Sequence, residues 1–277
     1  MSARKNRRII EHMKRIIIVT GASSGMGTEF ARQLARKPAI DELWLIARRK
    51  DRLRELAAEL ENAGSAVRVF DMDIAGAAGY GRFLALLERE AERCPDGLTV
   101  DTLVNNAGFG TYGPFVQTPL EKQLEMIELN VTALTGLCGA VLPFMTGGCS
   151  VVNVSSLAAF IPLGNFAVYG ATKAYVLSYT LALAAEVADS GIRVLAVCPG
   201  PVDTEFADVA SNGARTRVLH GKSAESVVRH ALRALERGRR TAIMAWKWKC
   251  KAFMSRFVGR YFFARYTYLF EKRPRAD

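Results

Sequence analysis

The stretch Thr20-Gly21-Ala22-Ser23-Ser24-Gly25-Met26-Gly27 lies between an apolar run at residues 15–20 and a helical pattern over residues 25–37. Glycines in such a turn let the backbone approach a pyrophosphate, and the start of the following helix directs free N–H groups at it. Three glycines alone are common in loops, so the position between strand and helix carries the information. The stretch predicts a phosphate-binding turn rather than an ordinary βα connection, with contacts from Gly21, Ser23, Ser24, Gly25, Met26 and Gly27.

The rest of the chain continues the alternation of short β-branched runs and longer helical patterns. Strands are predicted at residues 15–20, 43–46, 67–70, 102–104, 150–154 and 192–197. Helices are predicted near residues 25–37, 51–63, 79–93, 119–145 and 168–189. This order predicts an α/β fold, a doubly wound parallel sheet of about seven strands with helices on both faces. We expect one catalytic domain over residues 14–246, between a basic extension at 1–13 and a basic, aromatic, helical tail at 247–277.

The charge of the chain is concentrated at its two ends. Of 277 residues, 50% are hydrophobic, which excludes disordered and collagen-like classes, and the formal net charge is +11. Residues 1–15 carry +5 and residues 237–277 carry +10, which leaves −4 for the segment between them. The body is therefore a mildly acidic globular unit, and we expect no nucleic acid partner.

Cysteine and histidine usage indicates the compartment and argues against a metal. The five cysteines form no C-x-x-C pair, which favours a reducing cytoplasm over a disulfide framework or a zinc site. The three histidines show no ligand spacing, so no metal is expected. No run of 18 apolar residues is present, so we expect a cytoplasmic protein whose contact with membranes, if any, is peripheral.

A basic cluster follows the second predicted strand. Arg48-Arg49-Lys50 occupies the position where an acidic residue would bind the ribose hydroxyls of NAD. A cation there pairs with the 2′-phosphate of NADP instead. Arg48 therefore favours NADP(H), although NAD(H) stays open because the cluster also fits a solvated basic turn.

The segment from Asn153 to Lys173 carries the chemistry. Lys173 follows Tyr169 by one helical turn, so the two side chains share a face. An ammonium beside a phenol stabilises phenolate, which predicts a lowered pKa for Tyr169 and proton transfer near neutral pH. The alternative is a surface tyrosine that stacks on a lysine stem.

Several motifs occur in a fixed order. They are Thr20-Gly21-x-x-x-Gly25-x-Gly27, Asp73, Asn105-Asn106-Ala107-Gly108, Asn130, Ser156, Tyr169 with Lys173, and Pro199-Gly200. Together, over residues 14–240, the sequence resembles the short-chain dehydrogenase/reductase family. The resemblance implies a Rossmann-type fold and hydride transfer between a nicotinamide dinucleotide and a carbonyl/alcohol pair.

The resemblance also implies residue roles. Tyr169 would be the acid/base, Ser156 would bind the same substrate oxygen with Ser155 as its adjacent rival, and Lys173 would bind the nicotinamide ribose. Asn130 would maintain a water-linked proton relay to Lys173. Further cofactor contacts would come from Asp73, Ile74, Asn106, Ala107, Gly108, Pro199, Gly200, Val202 and Thr204. One departure is Ser24, where many NADP-preferring relatives carry a basic residue.

Substrate and assembly are less constrained by the sequence. The resemblance places substrate selection in loops rich in apolar side chains, which suits a lipid- or steroid-like substrate, although any one of these residues could be core: Phe109, Tyr112, Phe160, Ile161, Leu163, Phe166 and Phe206. The resemblance favours a homodimer or homotetramer. A non-catalytic dinucleotide-binding regulator or membrane-surface scaffold is the alternative function.

The tail repeats aromatic residues at helical spacing, with basic residues between them. Trp246, Cys250, Phe253, Phe257, Tyr261, Ala264 and Tyr268 form one stripe. One reading is an interfacial helix on an anionic membrane. The other, which we favour, is a helix packed over the substrate cleft or against a second subunit.

Overall fold

A computed structural model describes residues 13–215, 221–271 and 273. Its main sheet has seven strands: Lys14–Thr20 (β1), Glu42–Ala47 (β2), Ala66–Asp71 (β3), Leu98–Asn105 (β4), Ser150–Val154 (β5), Arg193–Val197 (β6) and Thr241–Ala242 (β9). They all pair in parallel, in the spatial order β3-β2-β1-β4-β5-β6-β9. Two short strands, Val202–Asp203 (β7) and Lys222–Ser223 (β8), pair with each other beside this sheet.

Helices cover both faces of the sheet. In chain order they are Gly25–Leu34 (α1), Lys50–Glu59 (α2), Gly76–Glu92 (α3), Leu120–Ile127 (α4), Leu134–Val141 (α5), Ala167–Glu186 (α6), Phe206–Ser211 (α7), Ala224–Glu236 (α8), Trp246–Met254 (α9) and Arg260–Phe270 (α10). Successive residues of β1 point to opposite faces of the sheet and enter different hydrophobic cores. Ile16 and Ile18 pack in the core with α3, α5 and α6. Ile17 and Val19 pack in the core with α1, α2 and α8. The predicted doubly wound α/β fold is confirmed.

One long helical segment interrupts its own α-helical pattern. From Leu120 to Phe144 the chain runs through α4, a π-helical turn at Glu128–Ala133, α5 and a short 3₁₀ turn at Leu142–Phe144. By length and hydropathy alone this segment could cross a membrane. Leu134, Leu137 and Val141 are instead buried against the sheet, as in a core helix of an α/β domain.

Strand β4 begins at Leu98, four residues before the predicted start at residue 102, and it includes a buried charged residue, Asp101. The carboxylate of Asp101 is 1% exposed and forms ion pairs with Arg15 on β1 and Lys37 after α1. Burial alone would raise the pKa of Asp101, but the hydrogen bonds from Lys37 and Arg15 outweigh it and hold that pKa below its ordinary value. A buried acidic residue in a strand can be predicted only when the basic residues that pair with it, distant in sequence, are known.

The tail forms two helices instead of the single helical stripe in the sequence. α9 ends at Met254 and α10 begins after Gly259, so residues 255–259 break the repeat. Trp246, Phe257 and Tyr261 are 79%, 70% and 80% exposed, whereas Ala252 and Thr267 are buried. The aromatic stripe is therefore mostly the outward face, and small residues pack inward.

We expect Asp101→Asn to lower the free energy of unfolding at neutral pH by about 1.5–3 kcal/mol, because hydrogen bonds to charged groups are lost. The folded-state pKa of Asp101 is depressed, so its contribution exists above the ordinary value of about 3.9 and is lost as pH falls through the folded pKa. Urea unfolding at neutral and acidic pH measures this, and the two proteins should converge in acid. Asp96→Asn, at an exposed position, is the control; equal losses in both variants would contradict the assignment.

Candidate active site

A cavity of about 600 Å³ opens along the carboxyl edge of the sheet. It runs from the glycine turn after β1 to Tyr169 on α6 and continues to residues of the tail. Most residues predicted to bind cofactor or substrate line it: Gly21, Ser23, Ser24, Gly25, Met26, Arg48, Asp73, Ile74, Asn106, Ala107, Gly108, Ser156, Tyr169, Lys173, Pro199, Gly200, Val202 and Thr204. Gly27 and Asn130 do not line it and lie behind its wall.

The glycine turn has no room for side chains. A Cβ on Gly27 would lie 2.0 Å from the Gly21 carbonyl oxygen, so only glycine lets α1 pack this closely on the turn. Gly21 has φ +64°, and a Cβ there would lie 2.8 Å from the Ala107 Cα. Ser24 precedes α1 without a side-chain capping hydrogen bond, which leaves the first N–H groups of the helix for a ligand. This cradle fits the pyrophosphate of a dinucleotide.

Hydrogen bonds between the ends of β1 and β4 form the floor of the cleft. The Asn106 side chain donates to the carbonyl oxygens of Thr20, at 3.1 Å, and Gly21, at 3.2 Å. The Thr20 hydroxyl accepts from the backbone N–H groups of Asn106 and Ala107 at 3.1 and 3.2 Å. Asn106 therefore supports the glycine turn from below.

Two arginines lie at the end of the cleft next to β2. Arg48 is 73% exposed and its guanidinium is 3.9 Å from Asp73, while Arg49 donates from Nε to the Ser23 hydroxyl at 3.1 Å. Arg49 also pairs with Glu205 at 2.8 Å, which fixes it beside the glycine turn. The sequence interpretation singled out Arg48 and missed Arg49; the signal was present in the Arg48-Arg49-Lys50 cluster.

The structure separates the two neighbouring serines. The Ser155 hydroxyl donates to the Lys173 carbonyl oxygen at 2.8 Å, which makes Ser155 a support for α6. The Ser156 hydroxyl accepts from the Ala158 N–H at 3.1 Å and lies close enough to the Tyr169 phenol to lower its pKa. Ser156 is thus the serine beside the phenol, in agreement with the spacing of 13 residues that favoured it.

The electrostatics of Tyr169 differ from the prediction. Burial raises the pKa of Tyr169, and the neighbouring Ser156 hydroxyl opposes the increase only in part. The Lys173 ammonium donates to the Val154 carbonyl oxygen at 2.8 Å and lies 5.7 Å from the centroid of the Tyr169 ring. Lys173 therefore does not hydrogen-bond the phenol, and the predicted lowering of the Tyr169 pKa is wrong for this arrangement. Burial also lowers the pKa of Lys173, to about 8.

Asn130 lies in the π-helical turn, behind the cavity wall. Its side chain donates to the Phe109 carbonyl oxygen at 2.9 Å and to the Thr172 hydroxyl at 3.1 Å, and accepts from the Phe109 N–H at 3.1 Å. Asn130 thereby joins the loop after β4 to Thr172 on α6, the residue that precedes Lys173. Its predicted part in a proton relay stays a prediction.

Aromatic rings form the wall beside the phenol. Phe166 stacks on Tyr169 with ring centroids 4.1 Å apart, Tyr112 meets Phe166 at 4.7 Å, and Phe206 lies 5.4 Å from Tyr169. All seven apolar residues expected at the substrate pocket line the cavity: Phe109, Tyr112, Phe160, Ile161, Leu163, Phe166 and Phe206.

The outer part of the cavity is closed by residues that sequence reasoning missed. Three of them belong to α9, two follow α10 and one follows α7: Trp248, Lys251, Ala252, Glu271, Arg273 and Arg215. A Cβ on Gly200 would lie 2.8 Å from the Trp248 indole nitrogen, so α9 packs directly on a predicted cofactor residue. This is the arrangement expected if the tail covers the cleft.

The chain is similar in sequence to the members of one known protein family. A family model for short chain dehydrogenases matches residues 15–214. Serine 3-dehydrogenase of Agrobacterium fabrum is 36% identical over 208 residues, 73% of this chain and 77% of that protein. Sulfoacetaldehyde reductase 2 of Chromohalobacter salexigens is 37% identical over 207 residues, 73% and 78% of the two chains.

A solved structure shows the same architecture. The short-chain dehydrogenase from Sphingobium yanoikuyae in complex with NADPH superposes with a TM-score of 0.75 at 32% identity, covering 88% of this chain and 94% of that one. The glycine turn, the Ser156–Tyr169 pair and these similarities lead to one conclusion. The chain belongs to the short-chain dehydrogenase/reductase family of NAD(P)-dependent oxidoreductases, which act on alcohols and carbonyl compounds.

Proposed function

We propose that this protein interconverts an apolar ketone or aldehyde with its alcohol, uses NADP(H), and employs Tyr169 as the proton donor and acceptor. The observation that carries the proposal is the position of the Tyr169 phenol. It lies beside Ser156, and both residues line one cavity that joins the glycine turn to an aromatic wall.

The residues of the cleft suit an NADP dinucleotide. The glycine turn and the start of α1 would hold the pyrophosphate, Asp73 and Ile74 the adenine, and residues 199–204 the nicotinamide end. Bound there, the dinucleotide would supply the hydride that the substrate carbon gains in reduction and would accept the hydride that it loses in oxidation. Arg48 and Arg49 provide cations for a 2′-phosphate at the β2 end. The relative from Sphingobium yanoikuyae was solved with NADPH, which supports the same preference.

Proton transfer to and from the substrate oxygen depends on Tyr169, Ser156 and Lys173. The raised pKa of Tyr169 keeps the phenol protonated at neutral pH, which suits donation to a carbonyl oxygen in the reductive direction. Ser156 is placed to hold the same oxygen. The buried Lys173 ammonium stabilises the phenolate that remains after donation, because charges interact strongly in a poorly hydrated site.

The aromatic wall argues for an apolar substrate. Phe166 and Phe206 contact the Tyr169 ring and Tyr112 contacts Phe166, so a substrate carbonyl that reaches Tyr169 must lie among apolar side chains. A lipid- or steroid-like body would bury this surface. Assembly into a homodimer or homotetramer remains a prediction; Leu120 and Leu124 on α4 are exposed apolar residues available to a second copy.

We expect Tyr169→Phe to reduce NADPH oxidation with ketones by about a hundred- to ten-thousand-fold, because the general acid is removed. NADPH binding, followed by fluorescence, should persist. The substrate panel runs from small polar to bulky apolar ketones, and the wild type should prefer the latter. Tyr175→Phe, on the exposed side of the same helix, is the control and should retain full activity. Equal activity of wild type and Tyr169→Phe would exclude the assigned role.

The pH profile of reduction should report on Lys173. The pKa of Lys173 is lowered to about 8, so the ammonium is charged below that pH and lost above it, while the phenol of Tyr169 remains protonated. We expect kcat/KM to be level below about pH 7 and to fall by up to about tenfold per pH unit above about pH 8. Lys173→Arg keeps its charge and should lose this decline even if it is slower overall. A wild-type rate that stays constant into strong alkali would contradict the assignment.

Cofactor choice should depend on the two arginines. Arg49→Ala and Arg48→Ala should each raise KM for NADPH about tenfold or more, through loss of a charge-assisted hydrogen bond, and leave KM for NADH nearly unchanged. Steady-state kinetics with both cofactors provide the measurement. Arg54→Ala, an exposed position on α2, is the matched control. A wild type that prefers NADH would overturn the NADP(H) assignment.

A further inference from the structure

The outward face of α9 and α10 exposes large apolar residues. Ten of the nineteen exposed large hydrophobic residues in the described chain lie within residues 246–270. We call these ten the tail face: Trp246, Phe253, Met254, Phe257, Tyr261, Phe262, Tyr266, Tyr268, Leu269 and Phe270. A concentration of exposed apolar residues of this kind is typical of a surface that contacts another macromolecule or a membrane.

The rings of the tail face form continuous groups. Phe253 and Phe257 have ring centroids 5.2 Å apart across the end of α9. On α10, Phe262, Tyr266 and Phe270 follow at intervals of four residues, with centroids 6.4 and 5.2 Å apart. The exposed rings therefore form a row along each of the two helices.

Exposed cations accompany the rings. Residues 246–271 contain six lysines and arginines, all exposed, and a single carboxylate: Lys247, Lys249, Lys251, Arg256, Arg260, Arg265 and Glu271. Glu271 is already paired with Arg273 at 2.7 Å and lies 3.7 Å from Lys251. The Arg265 guanidinium lies 5.6 Å from the Tyr268 ring centroid, so cation and ring are presented side by side. The tail face is positively charged as well as apolar.

The positive charge of the tail face distinguishes between two possible binding partners, a second copy of the chain and a membrane. In a symmetric interface, a second copy would bring the same cations toward each other, which costs free energy. An anionic bilayer surface offers negative headgroups to the arginines and lysines and, just beneath them, an apolar layer for the rings. We propose that the tail face docks on an anionic lipid membrane.

Docking there would bring the membrane to the mouth of the catalytic cavity. The Gly164 N–H donates to the Thr267 hydroxyl at 2.9 Å, and Arg273 donates to the Gly164 carbonyl oxygen at 2.6 Å, so α10 is fixed to the loop before α6. Trp248 and Lys251 of α9 line the same cavity as Tyr169. This part of the inference rests on the proposed function: an apolar substrate passes from the lipid to the active site without crossing bulk water.

Flotation of the full-length protein with vesicles tests the docking. The vesicles are phosphatidylcholine alone and phosphatidylcholine with phosphatidylglycerol at about 30%. We expect binding to the anionic vesicles at low salt and much weaker binding at high salt or to phosphatidylcholine alone. Combined Lys249→Gln, Arg256→Gln and Arg260→Gln should weaken binding about a hundredfold, since each surface cation contributes roughly fivefold.

Two further variants distinguish membrane binding by the apolar residues of the tail face from nonspecific adsorption of exposed apolar residues. Phe257→Ser, Tyr261→Ser and Phe262→Ser together should abolish flotation, whereas Phe115→Ser, Leu120→Ser and Leu124→Ser, exposed apolar residues of the body, should leave it intact. None of these side chains belongs to the catalytic machinery, so melting temperature and activity on a water-soluble ketone check that each variant is folded.

Several outcomes would overturn the proposal. Absence of flotation at both salt levels excludes membrane docking, and equal, salt-insensitive binding to both vesicle types excludes the anionic assignment. If the tail variant instead dissociates an oligomer in light scattering while no vesicle is bound, the tail face is a subunit interface.

Activity supplies a separate readout for substrate delivery. Anionic vesicles should lower KM for a membrane-partitioning ketone only in proteins that keep the tail face. If no ketone is reduced at all, the proposed function fails while the flotation result still stands.

Discussion

The parallel pairing of β1 with β4 is the constraint on which the rest of the structure depends. At this pair the strand order reverses direction, so the loops that follow the two strands separate and leave a crevice between them. The bonds from Asn106 to the Thr20 and Gly21 carbonyl oxygens close the floor of that crevice. The glycine turn is held by a neighbouring strand as well as by its own helix.

Buried amides extend this support toward the catalytic side chains. Asn105 donates to Asn153 at 2.9 Å, and Asn153 donates to the Thr180 hydroxyl at 3.1 Å, which links β4, β5 and α6. Asn130 makes the corresponding link from the loop after β4 to Thr172 on α6. Because buried polar groups are costly unless paired, these contacts fix α6 relative to the sheet, and with it Tyr169 and Lys173.

Local sequence pattern predicted the features that depend on local physics. The strand and helix order, the glycine turn and the one-turn spacing of Tyr169 and Lys173 are periodicity or turn chemistry, so they could be read directly. The early start of β4, the pKa of Tyr169 and the place of Arg49 beside Ser23 could not, since each depends on groups remote in sequence. The tail was also predicted only in its local features. Its helical spacing was correct, but the break before Gly259 and the contact of Thr267 with Gly164 determine where the tail bends and which side faces inward.

The cover of the cavity comes from the far end of the described chain. Every residue assigned here to the dinucleotide lies at or before Thr204, whereas Trp248 and Arg273 follow it. A ribosome therefore completes the cofactor cleft before it makes the helices that lie across it. Helices α9 and α10 therefore lie over the cofactor residues and are not threaded between them.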